Sequence, residues 1–132
     1  MKVIDSSSVA KYINRERNWK AAAKALGENC VSLELAVKET GNSLWKRARR
    51  GEITYEQAGQ AFSEFTVSRP FSVADQGELY APAFEIAASL GLPLYDALFL
   101  ALAKERGLPL VTSDSSQAEA AKKLGVGLQF IE

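Results

Sequence analysis

Sixteen carboxylates are spread along this 132-residue chain, yet only four are aspartates: Asp5, Asp75, Asp96 and Asp114. Asp5 directly follows the short apolar run Val3-Ile4, and Asp114 follows Leu110-Val111-Thr112 in the same manner. In open α/β sheets ligands bind beyond the carboxyl ends of the strands, so both acids are expected at one rim of a sheet. Asp96 heads the apolar helical pattern Ala97 to Arg106, and Asp75 precedes Gln76 to Glu78. Each has a plain role as a helix N-cap, which suffices for Asp75 and stays open for Asp96 and for Asp5 with its serines 6, 7 and 8. Glu39 is the unusual glutamate. Leu35, Ala36 and Val37 precede it, Asn42, Ser43 and Leu44 follow it, and Asn42 shares its helix face.

Carboxylates gathered at one site repel, which raises their pKa values and destabilises the fold unless a divalent cation compensates. Histidine is absent and Cys30 is the one cysteine, which removes Ser-His and Cys-His catalysis, imidazole bases and His-containing zinc or iron sites. Oxygen-only donors fit Mg2+ or Mn2+. Such an ion lowers the pKa of a bound water, orients a phosphodiester and neutralises charge on a leaving oxygen.

The elements that must position these residues follow from pattern and punctuation. Strands are expected at Val3-Ile4, Cys30-Val31, Leu110 to Thr112 and Leu128 to Ile131, with a weaker one at Phe71 to Val73. Helices are expected from Ser8 to Ile13; from Trp19 to Leu26, capped by Asn18 and stopped by Gly27; and from Glu34 to Arg50, ended by Gly51. Thr54-x-x-Gln57 reads as a capping box opening a helix whose apolar face is Ala58, Ala61, Phe62 and Phe65. Helical pattern then covers Asp75 to Leu90, where Pro82 starts or kinks it, Ala97 to Arg106, and Ser116 to Leu124. Strands alternating with helices argue an α/β fold with a parallel sheet covered on both faces.

Composition bounds the answer further. At 132 residues and 47% hydrophobic, the chain has the size and composition of one globular domain spanning 1–132. Sixteen basic residues balance sixteen acidic ones, so no global positive field announces a nucleic-acid or anionic-membrane partner, and any such binding must be local. The lone Cys30 cannot form an internal disulfide, which fits a reducing cytoplasm. The uncharged run Ile86 to Tyr95 is too short to span a bilayer, and Asp5 interrupts any apolar segment at the N-terminus before it forms.

Four short motifs carry a resemblance. Val3-Ile4-Asp5-Ser6-Ser7, Glu39-Thr40-Gly41-Asn42-Ser43-Leu44, Leu94-Tyr95-Asp96-Ala97-Leu98 and Leu110-Val111-Thr112-Ser113-Asp114 stand in the order of the PIN-domain family. The chain resembles in particular the small VapC-type ribonuclease toxins of VapBC toxin-antitoxin pairs, over essentially its whole length. The resemblance implies a three-layer αβα sandwich around a central parallel sheet, Mg2+- or Mn2+-dependent endoribonuclease activity, a homodimer or higher assembly, and an antitoxin that blocks the site. It implies an acidic metal-binding cluster of Asp5, Glu39, Asp96 and Asp114. Ser7 and Thr112 would support that cluster with hydroxyls, and Asn42 would orient Glu39. Where family members often carry a further acid or an aromatic after the last aspartate, this chain has Ser115, Ser116 and Gln117, which argues against a second tightly held ion.

An RNA must bring phosphates to a negative cluster, so basic residues are expected at its edge. Lys46, Arg47, Arg49 and Arg50 end the helix that carries Glu39, and Lys11, Arg15 and Arg17 lie in or after the first helix; the plain role of the former is to complement a helix dipole. An apolar groove around Trp45, Phe62 and Phe65 is a candidate seat for an antitoxin helix. Two other readings stand beside the nuclease. A receiver-type phosphotransfer domain needs a lysine on a late strand, and Thr112-Ser113-Asp114 and Phe130-Ile131-Glu132 offer none. A catalytically inactive PIN-like module would bind RNA or a partner without cutting.

Overall fold

Three short strands build the centre of the molecule. In the computed structural model, which describes all residues 1–132, they are β1 (Lys2–Ile4), β2 (Cys30–Ser32) and β4 (Leu110–Thr112). Val3, Ile4, Val31, Leu110 and Val111 are essentially inaccessible to solvent. That is the signature of strands covered on both faces. β3 (Ser72–Val73) and β5 (Leu128–Phe130) are more exposed and form the edges. All pairings are parallel and the order is β3-β2-β1-β4-β5. The chain thus runs outward from β1 to one edge and then returns to build the other half from β4. The switch in direction falls between β1 and β4, where α/β sheets open a crevice at the carboxyl ends of their strands.

Seven helices cover the sheet: α1 (Ser6–Ile13), α2 (Trp19–Gly27), α3 (Glu34–Arg49), α4 (Tyr55–Ser68), α5 (Tyr80–Leu90), α6 (Leu94–Arg106) and α7 (Ser115–Leu124). The expected α/β architecture with a central parallel sheet is what the structure has. α6 is buried without a break from Ala97 to Ala103, so it behaves as a core element rather than a surface helix. The capping box at Thr54 and Gln57 is present. α3 and α4 approach closely at Gly41, where an added Cβ would lie 2.7 Å from the Phe62 ring. No single helix is long and apolar enough to cross a membrane.

Three local expectations need correction. Asn18 caps nothing with its side chain: it sits in the left-handed region at φ 64°, and α2 runs through Gly27. The stretch Asp75 to Leu90 is not one helix but a 3-10 turn, Gly77–Leu79, followed by α5. Pro82 lies in the first turn of α5, where its missing N–H is not needed. α6 starts three residues earlier than expected, after Pro93, so Asp96 stands within its first turn and is not its N-cap.

Candidate active site

Asp5 is the buried anchor of the crevice. It is 3% exposed at the end of β1, and it also caps α1 by accepting from the Ser8 N–H at 3.2 Å. The capping role and a role in a site are therefore not alternatives here. Ser7 Oγ donates to Asp5 Oδ1 at 2.7 Å, and Thr112 Oγ1, from the neighbouring strand β4, donates to Asp5 Oδ2. Burial pushes the Asp5 carboxyl up to about 6, against the pull of the hydrogen bonds from Ser7, Thr112 and Ser8, and Asp114 adds repulsion. Serine and threonine hydroxyls knit the same floor: Ser113 N–H donates to Ser7 Oγ at 2.9 Å, and Ser8 Oγ and Ser113 Oγ lie 3.1 Å apart.

Above Asp5 opens a cleft of about 290 Å3 whose walls carry Glu39, Asp96 and Asp114. Asp114 ends the strand β4 rim and caps α7 through Oδ1, which accepts from the N–H groups of Ser116 at 2.8 Å and Gln117 at 3.1 Å. Asp96 comes from α6; burial raises its pKa first, and the charges of Asp114 and Glu39 raise it further. Glu39, exposed on α3, accepts from Ser6 Oγ at 2.7 Å. Glu39 thus takes its hydrogen bond from Ser6, expected only as a neighbour of Asp5, whereas Asn42 lines the cleft beside it. Ser43 also lines the cleft, at the end of a chain in which Arg47 donates to Asn14 Oδ1 and Asn14 Nδ2 donates to Ser43 Oγ, both at 3.1 Å. Nothing in the local sequence tied Ser6 to Glu39 or Asn14 to Ser43, because both act across elements far apart in the chain.

The basic residues divide sharply. Lys46 is the one cation lining the cleft. Arg47 and Arg50 both contact Glu52, at 3.4 and 2.7 Å, and Arg49 stacks 5.5 Å from the centre of the Trp45 ring. Lys11 is buried and donates to the backbone carbonyls of Arg17 and Glu132, so it serves the fold. Arg15 stacks on Trp19 at 4.0 Å. On the other side of α3 an apolar groove of about 240 Å3 runs between Leu44, Trp45, Tyr55 and Phe62. Phe65 is not part of it: it is buried against Phe71, ring centres 6.0 Å apart.

Compared with known families, residues 2–123 match the model of the PIN domain. The chain belongs to the PIN-domain family. This PIN domain is 34% identical over 120 residues to ribonuclease VapC3 of Pyrobaculum aerophilum, covering 89% of this chain and 92% of that protein. It is also 34% identical over 87 residues to exonuclease VapC9 of the same organism, covering 66% of this chain and 63% of the relative. Among solved structures, PAE2754 from Pyrobaculum aerophilum superposes with a TM-score of 0.75 at 26% identity, covering 98% of this chain and 87% of that one. A toxin-antitoxin complex from Klebsiella pneumoniae shares the fold, with a TM-score of 0.65 at 19% identity over 87% of this chain and 88% of that one.

The donor set of this PIN domain suits a hard divalent cation in kind: carboxylates and hydroxyls, without sulfur or imidazole. Its geometry suits one that keeps much of its water, since no three of the acids converge on a single ion position. Mg2+ is commonly held in that way, through one or two carboxylates.

Proposed function

We propose that this PIN domain is a metal-dependent endoribonuclease that hydrolyses RNA phosphodiesters and acts as the toxin of a toxin-antitoxin pair. The observation that carries the proposal is the gathering of Asp5, Glu39, Asp96 and Asp114 around one cleft at the switch point of the sheet, with a single lysine on its wall. The ribonuclease and exonuclease names of its relatives support the chemistry. The toxin-antitoxin complex with the same fold supports an antitoxin protein as partner.

Asp5, Asp96 and Asp114 would hold Mg2+ or Mn2+, one or two of them directly and the rest through its water, with Glu39 contributing directly or through water. Such an ion supplies Lewis acidity and charge neutralisation at the phosphodiester. The protein's own residues do the rest. Ser7 and Thr112 donate to Asp5 and favour its anionic form despite burial. Ser6 donates to Glu39 Oε1 and so restrains that carboxylate at the cleft wall. Lys46 offsets the acids for an approaching phosphate, a contact that carries no sequence preference of its own.

The alternative reading is a PIN fold that binds RNA or a partner without cutting. Both readings meet the same experiment. Purified protein free of any partner is incubated with a mixed pool of structured RNA and Mg2+, Mn2+ or EDTA, beside Asp96→Asn. Cleavage that needs the ion and disappears in the variant is expected. If wild type neither cleaves nor binds Mn2+ by calorimetry, the non-catalytic reading replaces the nuclease.

A further inference from the structure

Gln117 is 1% exposed, although Ser115 and Ser116 before it on α7 are open to solvent. Its hydrogen bonds reach two acids carried on different elements. The side-chain Nε2 donates to the backbone carbonyl of Asp96, 3.0 Å away in the first turn of α6, and the backbone N–H donates to Asp114 Oδ1 at 3.1 Å. Its Oε1 is the one buried side-chain nitrogen or oxygen in the molecule without a hydrogen-bond partner. Turning the amide round does not cure this, because the Asp96 carbonyl only accepts.

An unpaired buried acceptor loses at least as much as one net hydrogen bond gains, so stability alone does not explain an amide here. Methionine would fill a similar volume and leave no orphaned oxygen. What the amide adds is a tie between α6 and α7, at the two residues whose carboxylates repel each other. The start of α6 has no side-chain cap to hold it otherwise.

We infer that Gln117 is a positioning residue that holds the Asp96 backbone against α7 and so sets the spacing between the Asp96 and Asp114 carboxylates. The purpose of that spacing rests on the nuclease proposal; the tie itself does not. Gln117→Met removes the amide at nearly constant volume. Its Tm is expected within about 5 °C of wild type, since a lost bond and a lost orphan offset each other. Mn2+ affinity measured by calorimetry is expected to fall about 5- to 10-fold, the cost of losing a tie behind the acids. The kcat for RNA cleavage is expected to fall about 10-fold with KM within about twofold, because misplacement touches the reacting centre and not the RNA contacts. A crystal structure of the variant would show the first turn of α6 displaced from α7 and the two carboxylates further apart than in wild type.

Equal carboxylate spacing in the two crystal structures overturns the inference. So does a variant with wild-type Mn2+ affinity, whether its Tm is unchanged or falls by more than about 10 °C, since Gln117 is then a packing residue. If wild type neither cleaves RNA nor binds Mn2+, the nuclease proposal fails, and the spacing comparison still decides the tie. Should Gln117→Met not fold, the wild-type protein answers instead: once calorimetry has shown that it binds the ion, Mg2+ added to 15N-labelled protein must shift the Gln117 side-chain amide resonances, and unmoved resonances overturn the inference.

Discussion

At the carboxyl end of the strands a cleft of about 290 Å3 is walled by Asp5, Glu39, Asp96 and Asp114; at the opposite end a cleft of about 360 Å3 is walled by Leu108, Pro109, Leu124 and three glycines. The second is the larger, so size does not mark the site. The polarity of the backbone does. At the acidic end α1 and α7 begin, and their free N–H groups and positive dipole ends accept Asp5 and Asp114 as caps. At the other end α6 and α7 finish at Gly107 and Gly125, both in the left-handed conformation, and present carbonyls, an environment that disfavours carboxylates. One end of the sheet therefore gathers acids and the other closes loops.

Exchanging the chemistry of the acidic end should produce the largest effect. Asp5→Asn keeps the cap on α1 and is expected to lower cleavage about 100- to 1,000-fold, measured by initial rates on a fixed RNA. Wild-type activity in that variant would remove the acid from the site and blur the contrast between the ends.

The second prediction concerns stability against pH. The folded state raises the Asp5 pKa from 3.8 to about 6, so it favours the protonated form. Below 3.8 both folded and unfolded chains are protonated and the cost is absent; it grows as pH rises through that window and is complete above about 6. The metal-free protein should thus lose up to roughly 3 kcal/mol of stability between pH 4 and pH 7, read by denaturant unfolding. Asp5→Asn should flatten the profile, and millimolar Mg2+ should restore stability at pH 7 only in wild type. A wild-type profile that rises over this range would contradict the burial argument.

Smaller effects separate the basic residues. Lys46→Ala is expected to raise KM for RNA about 10-fold and to reduce the salt dependence of binding by about one released counterion. Arg50→Ala, whose guanidinium is engaged with Glu52, should leave both within about twofold. Equal losses in the two variants would show that the whole helix end binds RNA.

The smallest effect belongs to the far end. Gly125 has φ 71° with open space around a would-be Cβ, so Gly125→Ala meets backbone strain alone. It is expected to lose about 1 kcal/mol, a fall in Tm of a few degrees, with unchanged kcat and KM below the transition. A matching loss of cleavage would mean that the two ends communicate.

Much of this was legible in the residues. Leu110-Val111-Thr112 is a strand because three buried positions leave no alternation, and Thr54 and Gln57 cap α4 because a capping box needs only local geometry. The Asn18 cap failed because its backbone is left-handed, and Asp75 to Leu90 split because a 3-10 turn has no periodicity of its own to read. Asp96 was placed one role short, since the start of α6 depends on Pro93.

The candidate site divides in the same way. Sequence alone determined which acids end strands, since a carboxylate after a buried run has only the rim to occupy, and it excluded every imidazole- or thiol-pair chemistry by composition. Only the tertiary structure decided that Ser6 rather than Asn42 bonds Glu39, that Lys46 alone among four neighbouring cations faces the acids, and that Gln117 ties Asp96 to Asp114. The Ser6–Glu39 and Gln117–Asp96 bonds join residues 33 and 21 apart in sequence, and side-chain direction across such gaps is set by packing, which no local pattern encodes.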